Sequence, residues 1–80
     1  MTDEELVARI TQLVEEEHRL EGSGVGAGLS EGDARRLRDL EVALDQTWDL
    51  LRQRRARRAA GMDPDAAEPR DPGTVENYRQ

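Results

Sequence analysis

Arg52, Arg54, Arg55, Arg57 and Arg58 place five guanidinium groups within seven residues, the densest set of chemically active side chains in the sequence. Groups so spaced can hold phosphate through bidentate contacts, on nucleic acid or on a nucleotide. They can equally pair with carboxylates or complement a helix C-terminus. Glu15 and His18 form a second candidate, a Glu-x-x-His pair at the spacing that di-iron carboxylate bundles use. Such ligands must point into a bundle. At about 100° per residue, Glu15 falls roughly 170° from the centre of the neighbouring apolar stripe and His18 roughly 110° away. A solvated acidic run explains both better. Glu17 sits at the centre of that stripe, between Leu13 and Leu20, where a carboxylate needs a partner such as Arg38 or a route to water. The run Gly22-Ser23-Gly24-Val25-Gly26-Ala27-Gly28 lacks the Lys-Ser/Thr pair and the preceding strand of a phosphate-binding loop, so it reads as a connector. No nucleophile-base pair, oxyanion-donor set or cofactor fingerprint is present. The sequence therefore predicts no enzyme: no catalytic residue, no cofactor and no metal ligand.

The elements that must position these groups are helical. Thr2 followed by Glu5 has the form of a capping box and opens a helix predicted over residues 3–21. Leu6, Ile10, Leu13, Val14 and Leu20 fall at spacings that wind onto one side of the helix, with Val7 alongside. The glycine-rich loop is predicted over 22–29. Ser30 with Asp33 marks a second N-cap, and the chain from Asp33 to Ala60 has no glycine or proline. A helix over 31–60 results, with Leu37, Leu40, Leu44, Trp48 and Leu51 on one stripe. Gly61 reads as its C-cap. On an antiparallel hairpin the first helix runs out near Leu50, leaving the last turns of the second projecting. Arg55 and Arg58 then continue the core-facing stripe beyond their cover. Val42, Ala43 and Leu50 lie off that stripe and point to a second buried surface.

Composition agrees. Eighty residues allow one domain with a small core, and the absence of cysteine rules out disulfides as its reinforcement. Oligomerisation is the remaining default for a core of this size. Trp48 and Tyr78 are the only aromatic residues, which disfavours sheets, whereas Leu, Ala, Glu and Arg suit helices. The net charge of −6 works against nonspecific binding to nucleic acid or anionic membranes. No apolar run approaches the ~20 residues that span a bilayer, and the acidic start Thr2-Asp3-Glu4-Glu5 is unlike a signal peptide. A cytoplasmic protein with no membrane partner is expected.

Charge is unevenly spread. Residues 1–33 are strongly acidic, residues 34–60 are basic, and the tail is acidic again. Attraction between the helices should bring Glu15 and Glu16 near Arg35 and Arg36. Exposed pairs of this kind, worth ~0–1 kcal/mol each, select register more than they stabilise. For the arginine-rich helix end the favoured partner is a second copy, packed antiparallel so that its Asp3, Glu4 and Glu5 lie against the guanidinium groups. Phosphate is the alternative. Residues 62–80 hold the three prolines and five acids, so the tail should be mostly irregular, with Met62, Val75 and Tyr78 able to dock on the hairpin.

The run Leu44-Asp45-Gln46-Thr47-Trp48-Asp49-Leu50-Leu51-Arg52-Gln53-Arg54-Arg55-Ala56, with Gly61-Met62-Asp63-Pro64-Asp65-Ala66-Ala67 and the closing Val75-Glu76-Asn77-Tyr78, resembles domain-of-unknown-function family 2630, a set of short actinobacterial proteins. The likeness spans nearly the whole chain. It implies a helical hairpin of bacterial origin and brings no established activity. A more distant analogy, to hairpin anti-sigma factors that hold a cyclic dinucleotide, fails. Glu41 is followed at the matching offsets by Asp45, Trp48 and Arg52 instead of the required set.

The expectation is an all-α protein: a coiled-coil-like antiparallel two-helix hairpin over residues 1–61 that pairs with a second copy into a four-helix bundle, followed by the tail. Its interface residues are Leu6, Ile10, Leu13 and Val14 on the first helix, and Leu37, Leu40, Leu44, Trp48 and Leu51 on the second. Its function is expected to be non-catalytic self-association and binding of a protein partner. Phosphate recognition by the Arg52–Arg58 patch is the alternative.

Overall fold

The computed structural model describes residues 1–23 and 28–73. Among these are two α-helices, α1 (Asp3–Ser23) and α2 (Glu31–Ala59), a single 3-10 turn at Pro64–Ala66, and no strand. The protein is a helical hairpin. Each helix boundary has a local cause. Thr2 N–H donates to Glu5 Oε1 at 3.0 Å and Glu5 N–H donates to Thr2 Oγ1 at 3.1 Å, the reciprocal pair of a capping box. Ser30 caps α2 by accepting from Asp33 N–H at 3.1 Å. At the far end Gly61 adopts a φ of +75°, Gly61 N–H donates to the Arg58 carbonyl and Met62 N–H to the Arg57 carbonyl. That is a Schellman closure, which requires a left-handed residue and so favours glycine. α1 runs on through Gly22 to Ser23, beyond the expected residue 21.

Helix pairing is antiparallel. Near the connector Arg36 Nε and Nη2 donate to the two carboxylate oxygens of Glu16 at 2.8 and 3.0 Å, the meeting of acidic and basic helices that the charge distribution predicts. At the other end Asp3 meets Arg54. Between these points Leu6, Ile10 and Leu13 of α1 and Leu40, Leu44 and Leu51 of α2 form the buried core, and Val14, Leu20, Ala43 and Leu50 pack partly buried around it. Leu37 is half-buried. Trp48, expected within the stripe, is 42% exposed. It lies roughly 60° around α2 from the mean direction of Leu40, Leu44 and Leu51, enough to place its ring at the margin of the core.

One expectation is corrected. The end of α2 does not project uncovered past Leu50, because Arg54 and Arg58 both reach Asp3 at the start of α1. Helical side chains lean toward their own N-terminus, so these long arginines reach back over the turn that α1 covers. The tail, expected to be mostly irregular and able to dock, is fastened to the hairpin. Asp63 caps the 3-10 turn by accepting from Asp65 N–H at 2.9 Å, and the chain then returns along α2. Gln53 Nε2 donates to the Glu68 carbonyl at 2.9 Å and Gln46 Nε2 to the Arg70 carbonyl at 3.3 Å. Met62 stays 53% exposed, and the expected docking of Val75 and Tyr78 lies outside the described residues. The molecule measures 51 × 25 × 16 Å. Its thinnest dimension is little more than the ~10–12 Å of one helix with its side chains.

Candidate functional site

Arg54 is the centre of an ionic clasp. Its Nε donates to Asp3 Oδ1 at 2.7 Å, and its Nη1 donates to Asp65 Oδ1 at 2.9 Å and to the Pro64 carbonyl at 3.2 Å. Arg58 Nη1 closes the group by donating to Asp3 Oδ2 at 2.9 Å. One side chain thus ties the start of α1 and the returning tail to the end of α2. The guanidinium fork suits the task, since it presents several donors in one plane and keeps its charge when buried. Arg54 is only 6% exposed, and such burial is tolerable because carboxylates and a carbonyl surround it. The hydrogen bonds from Arg58 and then Arg54 hold the Asp3 carboxyl down at about 2. Asp3 and Asp65 in turn push Arg54 further above its ordinary value.

A second polar group lies on the other buried face of α2. Asp49, 2% exposed, accepts from Gln53 Nε2 at 2.9 Å and pairs with Arg70 Nε at 3.2 Å. Gln53 therefore bridges this carboxylate and the Glu68 carbonyl. No buried side-chain nitrogen or oxygen among the described residues lacks a partner. Both groups fasten segments of one chain.

The two long edges of the hairpin differ. Along one, Arg9, Ala43, Gln46 and Leu50 line a shallow hollow with Met1 and Pro69, so this edge carries the tail. At about 100° per residue, Val7 lies across the apolar stripe of α1 from Arg9, and Trp48 lies across that of α2 from Gln46. These two residues therefore share the opposite edge. The contacts of Glu16 with Arg36 and of Asp3 with Arg54 set the register between the helices, and they bring Val7 level with Trp48. Val7 is 47% exposed and Trp48 42%. Beside them Glu17, Glu41, Leu44 and Asp45 line a second, more polar hollow.

The structure divides the predicted site residues. Leu6, Ile10, Leu13, Leu40, Leu44 and Leu51 are consumed by the hairpin core, and Val14 and Leu37 flank it half-buried. Of the expected interface set, Trp48 keeps substantial free surface. The arginine patch is not one surface. Arg54 and Arg58 are engaged by Asp3, so the acids expected to come from a second copy are supplied in part by the chain's own α1. The arginine facing the core is Arg54, whereas Arg55 is exposed. Arg52 and Arg55 point to the Trp48 side, and Arg57 lies with Gln53, Ala56, Met62 and Arg70 on the tail side. Glu15 and His18 are exposed, and the described residues hold no group of three carboxylate or imidazole side chains placed to bind a metal ion. Sequence reasoning missed the Asp49 group. Its signal was present in Val42, Ala43 and Leu50, which mark a second buried face without revealing that the tail covers it.

Fold and side-chain arrangement define a class: an α-helical hairpin fastened by an ionic clasp and covered along one edge by its own C-terminal segment. The chain belongs to the DUF2630 family of proteins of unknown function, whose model matches residues 2–80. It is 47% identical over 78 residues to uncharacterised proteins of Mycobacterium tuberculosis and Mycobacterium bovis, an overlap of 96% of this chain and 90% of theirs. No solved structure matches it. No helix among the described residues is long and apolar enough to cross a membrane.

Proposed function

We propose that this protein is a small non-catalytic interaction module that acts as a homodimer, pairing two hairpins into a coiled-coil-like four-helix bundle in the cytoplasm and offering the assembled bundle to a protein partner. One observation carries the reading: the tail covers one edge of the hairpin, while the opposite edge leaves Val7 and Trp48 level and exposed. Tryptophan on a helical surface beside aliphatic neighbours is the residue type most enriched where binding energy concentrates. A core of six aliphatic side chains in an 80-residue chain also gains from a second copy that extends it.

The phosphate reading loses ground on the same geometry. The clasp takes Arg54 and Arg58, and Arg57 lies on a different side from Arg52 and Arg55. Sedimentation equilibrium over a concentration series tests the proposal. The wild type should be a dimer that persists at high salt, because an apolar seam is not screened, and Trp48→Ala should shift it to monomer while helical circular dichroism is retained. A folded wild-type monomer at every concentration would refute it.

A further inference from the structure

We infer that the second copy docks antiparallel along the Trp48 edge of α2, with the two-fold axis of the dimer passing beside Trp48. The inference rests on the self-association proposed above and adds to it a surface, an orientation and a register. Its warrant is a pattern of charge along one edge of one helix. Reading α2 outward from Trp48, Glu41 stands seven residues before it and Arg55 seven after, while Asp45 stands three before and Arg52 four after. At about 100° per residue all four fall within roughly 60° of the direction of Trp48, and Asp45 and Arg52 fall on the same side of it. Acids thus occupy one half of the edge and arginines the other, balanced about the tryptophan.

A two-fold axis turns that pattern into complementarity. In an isologous contact residue i of one copy meets residue j of the other, and j meets i. With the axis at Trp48, each Glu41 faces the other copy's Arg55 and each Asp45 faces its Arg52, which gives four opposite-charge pairs of two kinds. The two Trp48 rings meet near the axis. Val7 of each α1, 47% exposed, adds apolar surface level with them. A parallel arrangement in register would instead set Glu41 against Glu41 and Arg55 against Arg55. Like charges directly opposed are disfavoured. The apolar residues supply attraction, and the charges choose the orientation. Glu41 and Arg55 are both exposed, so reversing either leaves the leucine core of the hairpin intact.

The experiment uses the full chain in two charge-reversed variants, Glu41→Arg and Arg55→Glu, studied by sedimentation equilibrium at low salt, singly and as an equimolar mixture. Each variant alone places like charges opposite each other twice and should self-associate roughly tenfold more weakly than wild type, given ~0–1 kcal/mol per exposed pair and its reversal. In the mixture both pairs are restored between unlike chains, so a heterodimer of near wild-type affinity should form. Circular dichroism of each variant should match the wild type. A second measurement is independent of affinity. The natural chain has no cysteine, so Asp45→Cys and Arg52→Cys mixed together should be joined by a short bis-maleimide far faster than either variant with itself. A wild-type dimer whose affinity ignores both reversals, or a mixture no tighter than its components, overturns this register while leaving self-association standing. A wild type that never dimerises overturns both.

Discussion

At the scale of the residue, the clasp makes a clear statement about acid. Asp3 is held at about 2 against an ordinary 3.8 by the Arg58 and Arg54 hydrogen bonds, and Glu16 is lowered by its bond from Arg36. A carboxyl whose folded value is depressed contributes stability above its unfolded value and loses that contribution as pH falls through its folded one. The Asp3 contribution is therefore full only well above the unfolded value of 3.8, and it is lost progressively as pH falls through that value toward about 2. An acid titration followed by circular dichroism should show the wild type losing stability over that window, and Asp3→Asn should flatten the loss while starting from a lower melting temperature at neutral pH. Arg54→Met provides the companion measurement. It removes the partner that Asp3 and Asp65 share and leaves Asp3 with Arg58 alone, so its melting temperature should fall well below that of Arg52→Met, although both variants remove one arginine from the same run. Equal effects from the two would mean that the clasp contributes nothing beyond general charge.

At the scale of the element, each helix of the hairpin is legible in the sequence, and the reasons are local. Thr2 with Glu5, Ser30 with Asp33, and Gly61 carry their structural meaning within three or four residues, so capping chemistry locates the helix ends without knowledge of the fold. The leucine stripes are legible for the same reason, since their period is that of the helix itself. What could not be read is which face each marginal residue takes. Trp48 shares a stripe with Leu44 and Leu51 to within the angular tolerance of a wheel, and only the helix-helix contact decides that it falls at the rim. The returning tail was equally hidden. Its hold on α2 depends on Asp49, Gln53 and Arg70, residues whose pairing needs the chain to reverse after Gly61 and run back along the helix. That hold predicts an outcome under protease. Arg70 is protected while it pairs with Asp49 and its carbonyl accepts from Gln46, so trypsin should cut slowly after Arg70 in the wild type. In Asp49→Ala it should cut substantially faster there, with helix content little changed. The core answers to a different variant. Leu51, with no exposed surface, has no means of relaxing into solvent, and Leu51→Ala should cost about 2–5 kcal/mol in a denaturant titration.

At the scale of the whole molecule the question is whether one hairpin is sufficient. Two helices in a slab 16 Å thick can bury the face between them, and the described part of the tail buries one more, but Val7 and Trp48 stay exposed on the remaining edge. If a second copy covers that edge, folding and association are one equilibrium, and the melting temperature must depend on concentration. Each tenfold rise in concentration then adds about 1.4 kcal/mol to the stability of the dimer. For two 80-residue chains unfolding together, this corresponds to roughly 3–5 °C per decade. Differential scanning calorimetry over two decades of concentration would resolve such a slope. In Trp48→Ala the slope should vanish and leave one fixed melting temperature, that of the isolated hairpin held by its clasp. Arg54→Met should behave oppositely, with a lower midpoint and the slope retained, because it weakens the hairpin without touching the seam. The two variants thus separate what holds one chain together from what joins two. A wild-type midpoint that stays constant across the whole series would assign all the stability to the hairpin and leave the Val7–Trp48 edge to a partner other than a second copy.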